Sequence, residues 1–445
     1  TTSSVIIGGS RRSTSSRSTP LNAATSTEVA VNNNVVLRPS DDPEAFDSFK
    51  IGSAKVHRYV RDGDGLDQPS EWMMWYHGRP KKGLDDENDD KDGSSSKLPP
   101  LSTGRIGRAT SRNGLIWTKE RVGSESEDAK DVTLGLNKES WWGFDTAHVG
   151  LGQVLLPMST PAIMTEGGVY LMYFFGGNHE ETKVADYLDN LPSEAAATAT
   201  MKGMNMKIGI ALSQDGKSFG RVEGDDPTGA CVAPYDESDP DQKAIADAMR
   251  DEDGSKVKLE EELYCAWPEV TLKIAANNGG EEKGGTSFMG NNKQKQQKPS
   301  FFMYYSTMRK ADKAKCLACA VSLDGFRWMK RGNVITPGEP GEMDDAGCAR
   351  CNVFQEASYD SATNVWKEQQ DGWHMLYEGV SSKDKKHRIM LAESEDGRRW
   401  TKKGVVFDVG PTEDSWDCGG VGAPHVIRLD DGSMRMYYTG QGADG

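Results

Sequence analysis

The chain has 445 residues, with 68 Asp and Glu against 53 Lys and Arg, for a net charge of −15. That balance excludes nucleic acid and anionic membranes as partners, because phosphate binding draws its affinity from Lys and Arg. No run approaches the roughly 20 apolar residues of a membrane-spanning helix, so a soluble chain without membrane insertion is expected.

Residues 1 to about 27 are rich in Ser, Thr and Arg, with no acid before Glu28. The composition suits an organelle transit peptide, plastid before mitochondrion, or equally a disordered tail on a cytoplasmic protein. Residues 1–40 are therefore set apart, and 41–445 are read as one fold. From about Asp47 the chain repeats itself. The first unit, to Lys119, has Ala54-Lys55-Val56, then the aromatic, Met-rich Trp72-Met73-Met74-Trp75-Tyr76, then Ile106 to Thr110, then the heptad Ser111-Arg112-Asn113-Gly114-Leu115-Ile116-Trp117.

The second unit, to Val222, carries Pro161-Ala162-Ile163, Tyr170-Leu171-Met172-Tyr173-Phe174, Ile208 to Leu212 and Ser213-Gln214-Asp215-Gly216-Lys217-Ser218-Phe219. The third, to Lys330, has Pro268-Glu269-Val270, Phe301 to Tyr305, Leu317 to Val321 and Ser322 to Trp328. The fourth, to Lys402, has Cys351-Asn352-Val353, Trp373 to Tyr377, Ile389 to Glu393 and Ser394-Glu395-Asp396-Gly397-Arg398-Arg399-Trp400. The fifth starts near Asp417, with Pro424-His425-Val426 and Met434 to Tyr438, and has neither a third strand nor a heptad after it.

An Asp-Gly or Asn-Gly pair between apolar runs is a tight hairpin turn, and the aromatic three positions past the Gly can fold back as a packing anchor. Three strands and a turn in four units, with the first two strands of a fifth, predict an all-β, five-bladed β-propeller. Its fifth blade reads as incomplete. Either Val35 to Arg38 supplies an outer strand, or part of that blade is missing; an unfinished sheet would leave an open edge. Segments near 81–100, 226–262 and 275–299 are polar or acidic insertions expected to be mobile, with a short helix over Asp239 to Arg250.

The Pro-x-Val inner strand, the Met-Tyr-Tyr second strand and the Ala-x-Ser-x-Asp-Gly-x-x-Trp third strand and turn resemble the five-bladed propeller glycosidases. These are the arabinanase, levansucrase and invertase group, including glycoside hydrolase families 43 and 32. The resemblance implies an axial pocket with carboxylates just before the Pro, or one residue further back, paired for acid and base work. Those positions hold Ser53, Thr160, Trp267, Arg350 and Ala423, and then Gly52, Ser159, Ala266, Ala349 and Gly422. None is a carboxylate. The scaffold is implied, and the usual catalytic set is missing.

Other acids do recur. Asp47, Glu261 and Asp417 lie nine residues before the strand valine and Asp345 lies eight before it, with Asp145 the expected member in the second unit. They are read either as a ring of carboxylates at the pocket mouth or as caps of their own turns. Residues that break the repeat are sharper candidates. Lys55, Glu269, Asn352 and His425 precede the valines, and Arg350 points to the same face. With Trp267 they form either a polar ligand site, whose guanidinium suits a carboxylate or phosphate, or a salt-bridge network plugging the axis.

Of the two CxxC pairs, Cys316-x-x-Cys319 lies in a strand, where that spacing faces opposite sides, and Cys348 of Cys348-x-x-Cys351 falls, like Cys265, at a core position five before the strand valine, so no zinc site is expected, and no cofactor. Two readings stay open. One is a carbohydrate-active enzyme that hydrolyses or transfers glycosyl groups, using Glu269 with Asp145, Asp345 or Asp417. The other is a non-catalytic propeller that binds a carbohydrate or other polar small ligand, with room for a protein partner.

Overall fold

The computed structural model describes residues 4–8, 34–59, 71–80, 104–120, 132–156, 169–188, 198–251, 254–272, 301–360 and 365–443. Within them lie five four-stranded antiparallel sheets. Blade one is Lys50–Tyr59, Glu71–Arg79, Arg105–Ser111 and Thr118–Lys119. Blade two is His148–Leu155, Tyr170–Gly177, Lys207–Ser213 and Gly220–Val222. Blade three is Glu262–Leu272, Phe301–Arg309, Lys315–Ser322 and Met329–Ile335. Blade four is Gly347–Asp360, Val365–Val380, His387–Ser394 and Thr401–Phe407. Blade five is Gly420–Arg428, Met434–Gln441, Ser4–Gly8 and Val35–Leu37.

Each inner strand touches the inner strands of the blades before and after it, and blade five returns to blade one. The ring is closed. Each interface between neighbouring blades has its own apolar core. The second strands explain why. Met74 faces blade five while its neighbour Trp75 faces blade two, so a sheet buried on both sides needs an uninterrupted apolar strand.

The turn heptad does two jobs. In the fourth copy Ser394 Oγ accepts from Gly397 N at 2.9 Å, and Asp396 Oδ1 accepts from Arg398 N at 2.7 Å and Arg399 N at 2.8 Å. Gly397 sits at φ +77°, which glycine adopts without steric cost. The anchor packs away from its own sheet, against the neighbour: Trp400 stacks edge-on against Tyr304 of blade three at 5.7 Å. That same tyrosine donates its hydroxyl to Gly397 O at 2.5 Å.

The tie repeats as Trp75 Nε1 to Gly216 O, Tyr173 OH to Gly325 O and Tyr437 OH to Gly114 O, at 2.9, 3.0 and 2.8 Å. Blade four has Leu376 at this position, and no heptad follows in blade five. The two absences match.

Several expectations change. Blade five has four strands, because Val35–Leu37 is its outer strand and Ser4–Gly8 its third. Two pieces of the expected tail thus belong to the propeller, and a leader removed near residue 27 would take the third strand with it. Blade two's inner strand is His148–Leu155, while Pro161 to Ile163 lie outside the described residues. So do the insertions near 81–100 and 275–299. The described residues of the segment near 226–262 carry secondary structure: Val232 bridges Ile208, and a helix over Pro240–Ala248 is capped by Asp239.

Replacing Tyr304 with Phe removes one tie between blades three and four and leaves the ring packing in place. The expected loss is about 1 kcal/mol, read from urea unfolding. An unchanged midpoint would mean that the tie contributes nothing.

Candidate functional site

Every inner strand has a bulge at one place. Ser53, Trp267, Arg350 and Ala423 adopt φ of +50°, +49°, +37° and +48°, and the pairing slips at these points and between Leu151 and Gln153 in blade two. Non-glycine residues in this region carry strain that the surroundings must hold. The second strand of the preceding blade supplies the hold, three residues past its Met. Thr439 Oγ1 accepts from Ser53 N at 3.1 Å, Ser306 Oγ from Arg350 N at 2.9 Å, and Glu378 Oε2 from Ala423 N at 3.0 Å.

After each bulge comes the residue before the valine: Lys55, Gln153, Glu269, Asn352 and His425, all buried. Lys55 Nζ meets Glu269 Oε2 at 2.6 Å and Asn352 Nδ2 donates to Glu269 Oε1 at 2.7 Å. Val426 N donates to Asn352 Oδ1 at 2.9 Å, and His425 Nε2 bonds Val56 O at 3.0 Å. Burial, with Lys55 nearby, pushes His425 well below the usual imidazole range. A void of about 20 Å³ remains beside Lys55 and Trp267, room for about one water. The hub is a polar plug.

The recurring acids tie each blade to itself. Asp47 Oδ2 accepts from Tyr76 OH at 2.9 Å and Lys119 Nζ at 2.5 Å, and Asp417 Oδ2 accepts from Tyr438 OH at 2.9 Å. Asp145 lies nine before Val154, the true strand valine of blade two, and meets Arg221 Nε at 2.5 Å. In blade four the position belongs to Asp344, bonded to Tyr377 OH at 2.8 Å and Lys402 Nζ at 2.7 Å. Asp345, the expected member, instead holds Ser382 and Gly341 N in an outer turn.

In blade three Glu262 takes the role through Tyr305 OH at 2.8 Å and Lys330, its extra methylene covering a one-residue offset. Glu261 pairs with Lys310 at the surface. Tyrosine, lysine or arginine partners within each blade hold Asp47, Asp145, Glu262, Asp344 and Asp417, and of these acids Asp145 alone keeps an oxygen, Oδ1, buried without a partner among the described residues.

The room for a ligand lies off the axis, on the face where the inner strands begin. A cavity of about 300 Å³ is walled by Met201, Met204, Met206, Tyr264 and Trp267, with Lys315, Arg350, Glu378 and His387 as its charged or titratable side. The Arg350 guanidinium lies 5.4 Å from the Trp267 ring centre, and Phe175 packs against that ring at 4.8 Å. Of the expected site residues, Trp267 and Arg350 meet here. Glu378 and His387 join them, and sequence reasoning missed both. Glu378 was findable: the position three past the second-strand Met reads His77, Phe175, Ser306, Glu378 and Thr439, one acid among five.

Glu378 is 1% exposed and accepts from Arg350 Nη2 at 2.7 Å and from His387 Nδ1. Burial raises its pKa, but Arg350, His387 and the Ala423 N–H outweigh that and hold it at about 2. It is the single carboxylate in the cavity lining among the described residues. Two-carboxylate glycoside hydrolysis needs a partner acid with raised pKa.

Among the described residues no three His, Cys, Asp or Glu side chains converge on a metal position. The seven thiols are free, and Cys265 and Cys348 occupy the core position held by Ile51, Val149 and Val421 in the other blades.

No family model matches the chain, and no curated protein matches it. Solved structures similar to it are carbohydrate-active propellers. A glycosyl hydrolase from Bacteroides ovatus has 13% identity and a TM-score of 0.49, over 93% of this chain and 92% of that one. A family 117 glycoside hydrolase from Zobellia galactanivorans has 13% identity and 0.41, over 91% and 88%. A β-1,2-mannobiose phosphorylase from Listeria innocua, in complex with β-1,2-mannobiose, has 12% identity and 0.43, over 87% and 88%.

Because Glu378 is ionised well below its ordinary range in the fold, its contribution is present above about pH 4.5 and is lost as pH falls toward 2. At neutral pH it amounts to roughly 3 kcal/mol. The stability gap between the wild type and Glu378→Gln is therefore expected to narrow as pH drops through that window. A gap that stays constant from pH 7 to pH 3 would refute the assignment.

Proposed function

We propose that this five-bladed propeller, glycosidase-like in architecture, binds a carbohydrate-like polar ligand in the cavity over Trp267 and does not hydrolyse it by a two-carboxylate route. One observation carries the reading: an aromatic face and a charged arc share one cavity that holds a single carboxylate, already saturated. The half-buried Trp267 ring offers a surface for the apolar face of a sugar ring. Arg350, Lys315 and His387 offer donors for hydroxyls, and the thioethers of Met201, Met204 and Met206 adapt to irregular shapes.

The alternative, catalysis by Glu269 with Asp145, Asp345 or Asp417, has less support. Glu269 is locked to Lys55 and Asn352 in the plug, and the other three serve turns and ties. None of the three borders the cavity.

The test is titration with a panel of neutral oligosaccharides, followed by calorimetry and tryptophan fluorescence. At least one is expected to bind, and Trp267→Ala is expected to weaken it by about tenfold or more, the loss of one aromatic stacking contact. If the wild type releases sugar from any member of the panel and Glu269→Gln stops it, the enzyme reading replaces this one.

A further inference from the structure

Arg79 ends the second strand of blade one and is 8% exposed. Its guanidinium has no hydrogen-bond or ion-pair partner among the described residues, and burial alone lowers its pKa, to about 10, with no carboxylate in reach. Other arginines equally buried are paired. Arg108 faces Glu120 at 3.1 Å, and Arg388 meets Asp384 at 2.7 Å and Asp408 at 2.8 Å. A buried charge without a counter-charge is costly. What surrounds Arg79 adds positive charge and bare acceptors.

Lys50 lies directly across the sheet from Arg79. His77, two residues earlier, points to the same face. His148 opens blade two beside Gly104, whose carbonyl accepts from Val149 N at 3.0 Å. Arg79 acts electrostatically on Lys50, His77 and His148, and Arg350 acts on His77. His148 Nε2 is spent on Gly203 O at 2.7 Å, and the His77 ring is bonded to the Val149 backbone. The Nδ1 atoms of both rings are buried with no partner.

We propose that the junction of blades one and two, on the face where the inner strands begin, is an oxyanion site centred on Arg79, and that its ligand is a phosphate group. A guanidinium takes two phosphate oxygens side by side. The choice over a carboxylate rests on the bare imidazole nitrogens. A neutral Nδ1 is an acceptor, and a hydrogen phosphate carries an O–H to give it, whereas a carboxylate has none. Arg350, which lines the cavity over Trp267, also acts electrostatically on His77 of this junction, so the two candidate ligands are free inorganic phosphate and the phosphoryl end of a sugar phosphate. The proposal does not depend on the cavity binding neutral sugars.

Calorimetric titration of the full chain with inorganic phosphate, at constant ionic strength set with chloride, tests it. Saturable binding is expected, weakened about tenfold or more by Arg79→Gln, the scale of a charge-assisted contact, and unaffected by Trp267→Ala. Glucose 6-phosphate binding at least tenfold tighter than inorganic phosphate would assign the site to a sugar phosphate, and equal affinity would assign it to the free ion. No saturable binding of either, or binding that Arg79→Gln leaves intact, overturns the proposal. Arg79→Met separates site from scaffold. In phosphate-free buffer it should melt no lower than wild type, since it removes an unpaired charge, and a lower melting temperature would mean that Arg79 has a structural partner and no ligand.

Discussion

Five sheets can share an axis only if each inner strand bends at the same height, and here the bend is a bulge placed in the left-handed region at four non-glycine residues, Ser53, Trp267, Arg350 and Ala423. L-residues pay steric strain there, so the bulge persists only where something external holds it. In three blades a side chain on the preceding blade does so by accepting the bulge N–H. The curvature of those three blades is thus fixed by the neighbour. Ring closure and local backbone geometry are one constraint.

That constraint also decides where chemistry can occur. The bulge turns the following side chain toward the axis, and the five residues so placed include one acid, one base and hydrogen-bonding groups that satisfy them. An ion pair sealed in this way at the hub gains strength from low dielectric only because its remaining lone pairs are met. The axis is filled, and open space moves off it, to the cavity where Trp267 and Arg350, themselves bulge residues, stand beside Glu378. Glu378 supports the bulge at Ala423 and accepts hydrogen bonds from both Arg350 and His387. With its oxygens occupied, the described lining of the cavity holds two cationic side chains, Lys315 and Arg350, against one carboxylate, whereas the chain as a whole is acidic.

Closure of the ring joins the two ends of the chain. Ser4–Gly8 lies along Met434–Gln441, and Val35–Leu37 lies outside it, so no open edge is left in blade five. This is the least regular interface. Leu376 replaces the hydroxyl or indole that ties the other blades to a heptad turn, and Val35 and Tyr438 pack near it in an apolar cluster. Where the polar tie has no partner, an aliphatic side chain leaves no buried donor unsatisfied.

The sequence by itself determined what depends on near neighbours along the chain. Four Asp-Gly or Asn-Gly turns and five apolar second strands specify hairpins and blades, because turn dihedrals and strand alternation are set within a few residues. It also marked Arg350 as a departure from the repeat, with Trp267 as an aromatic wall beside it. Decisions of one residue were out of its reach. Asp344 displaces Asp345, Glu262 displaces Glu261, and Gly152 takes the place of the Pro that was sought at Pro161, since spacing does not record how a bulge shifts register.

Contacts between distant segments were further out of reach. The pairing of Ser4–Gly8 with the last strand, the capture of Glu378 by Arg350 and His387, and the lack of a partner for Arg79 among the described residues each depend on which blades become neighbours. A charged side chain is paired or unpaired only once folding has chosen what stands beside it. For that reason the scaffold was readable in the sequence, and the electrostatics around the cavity over Trp267 were fixed only by the tertiary structure.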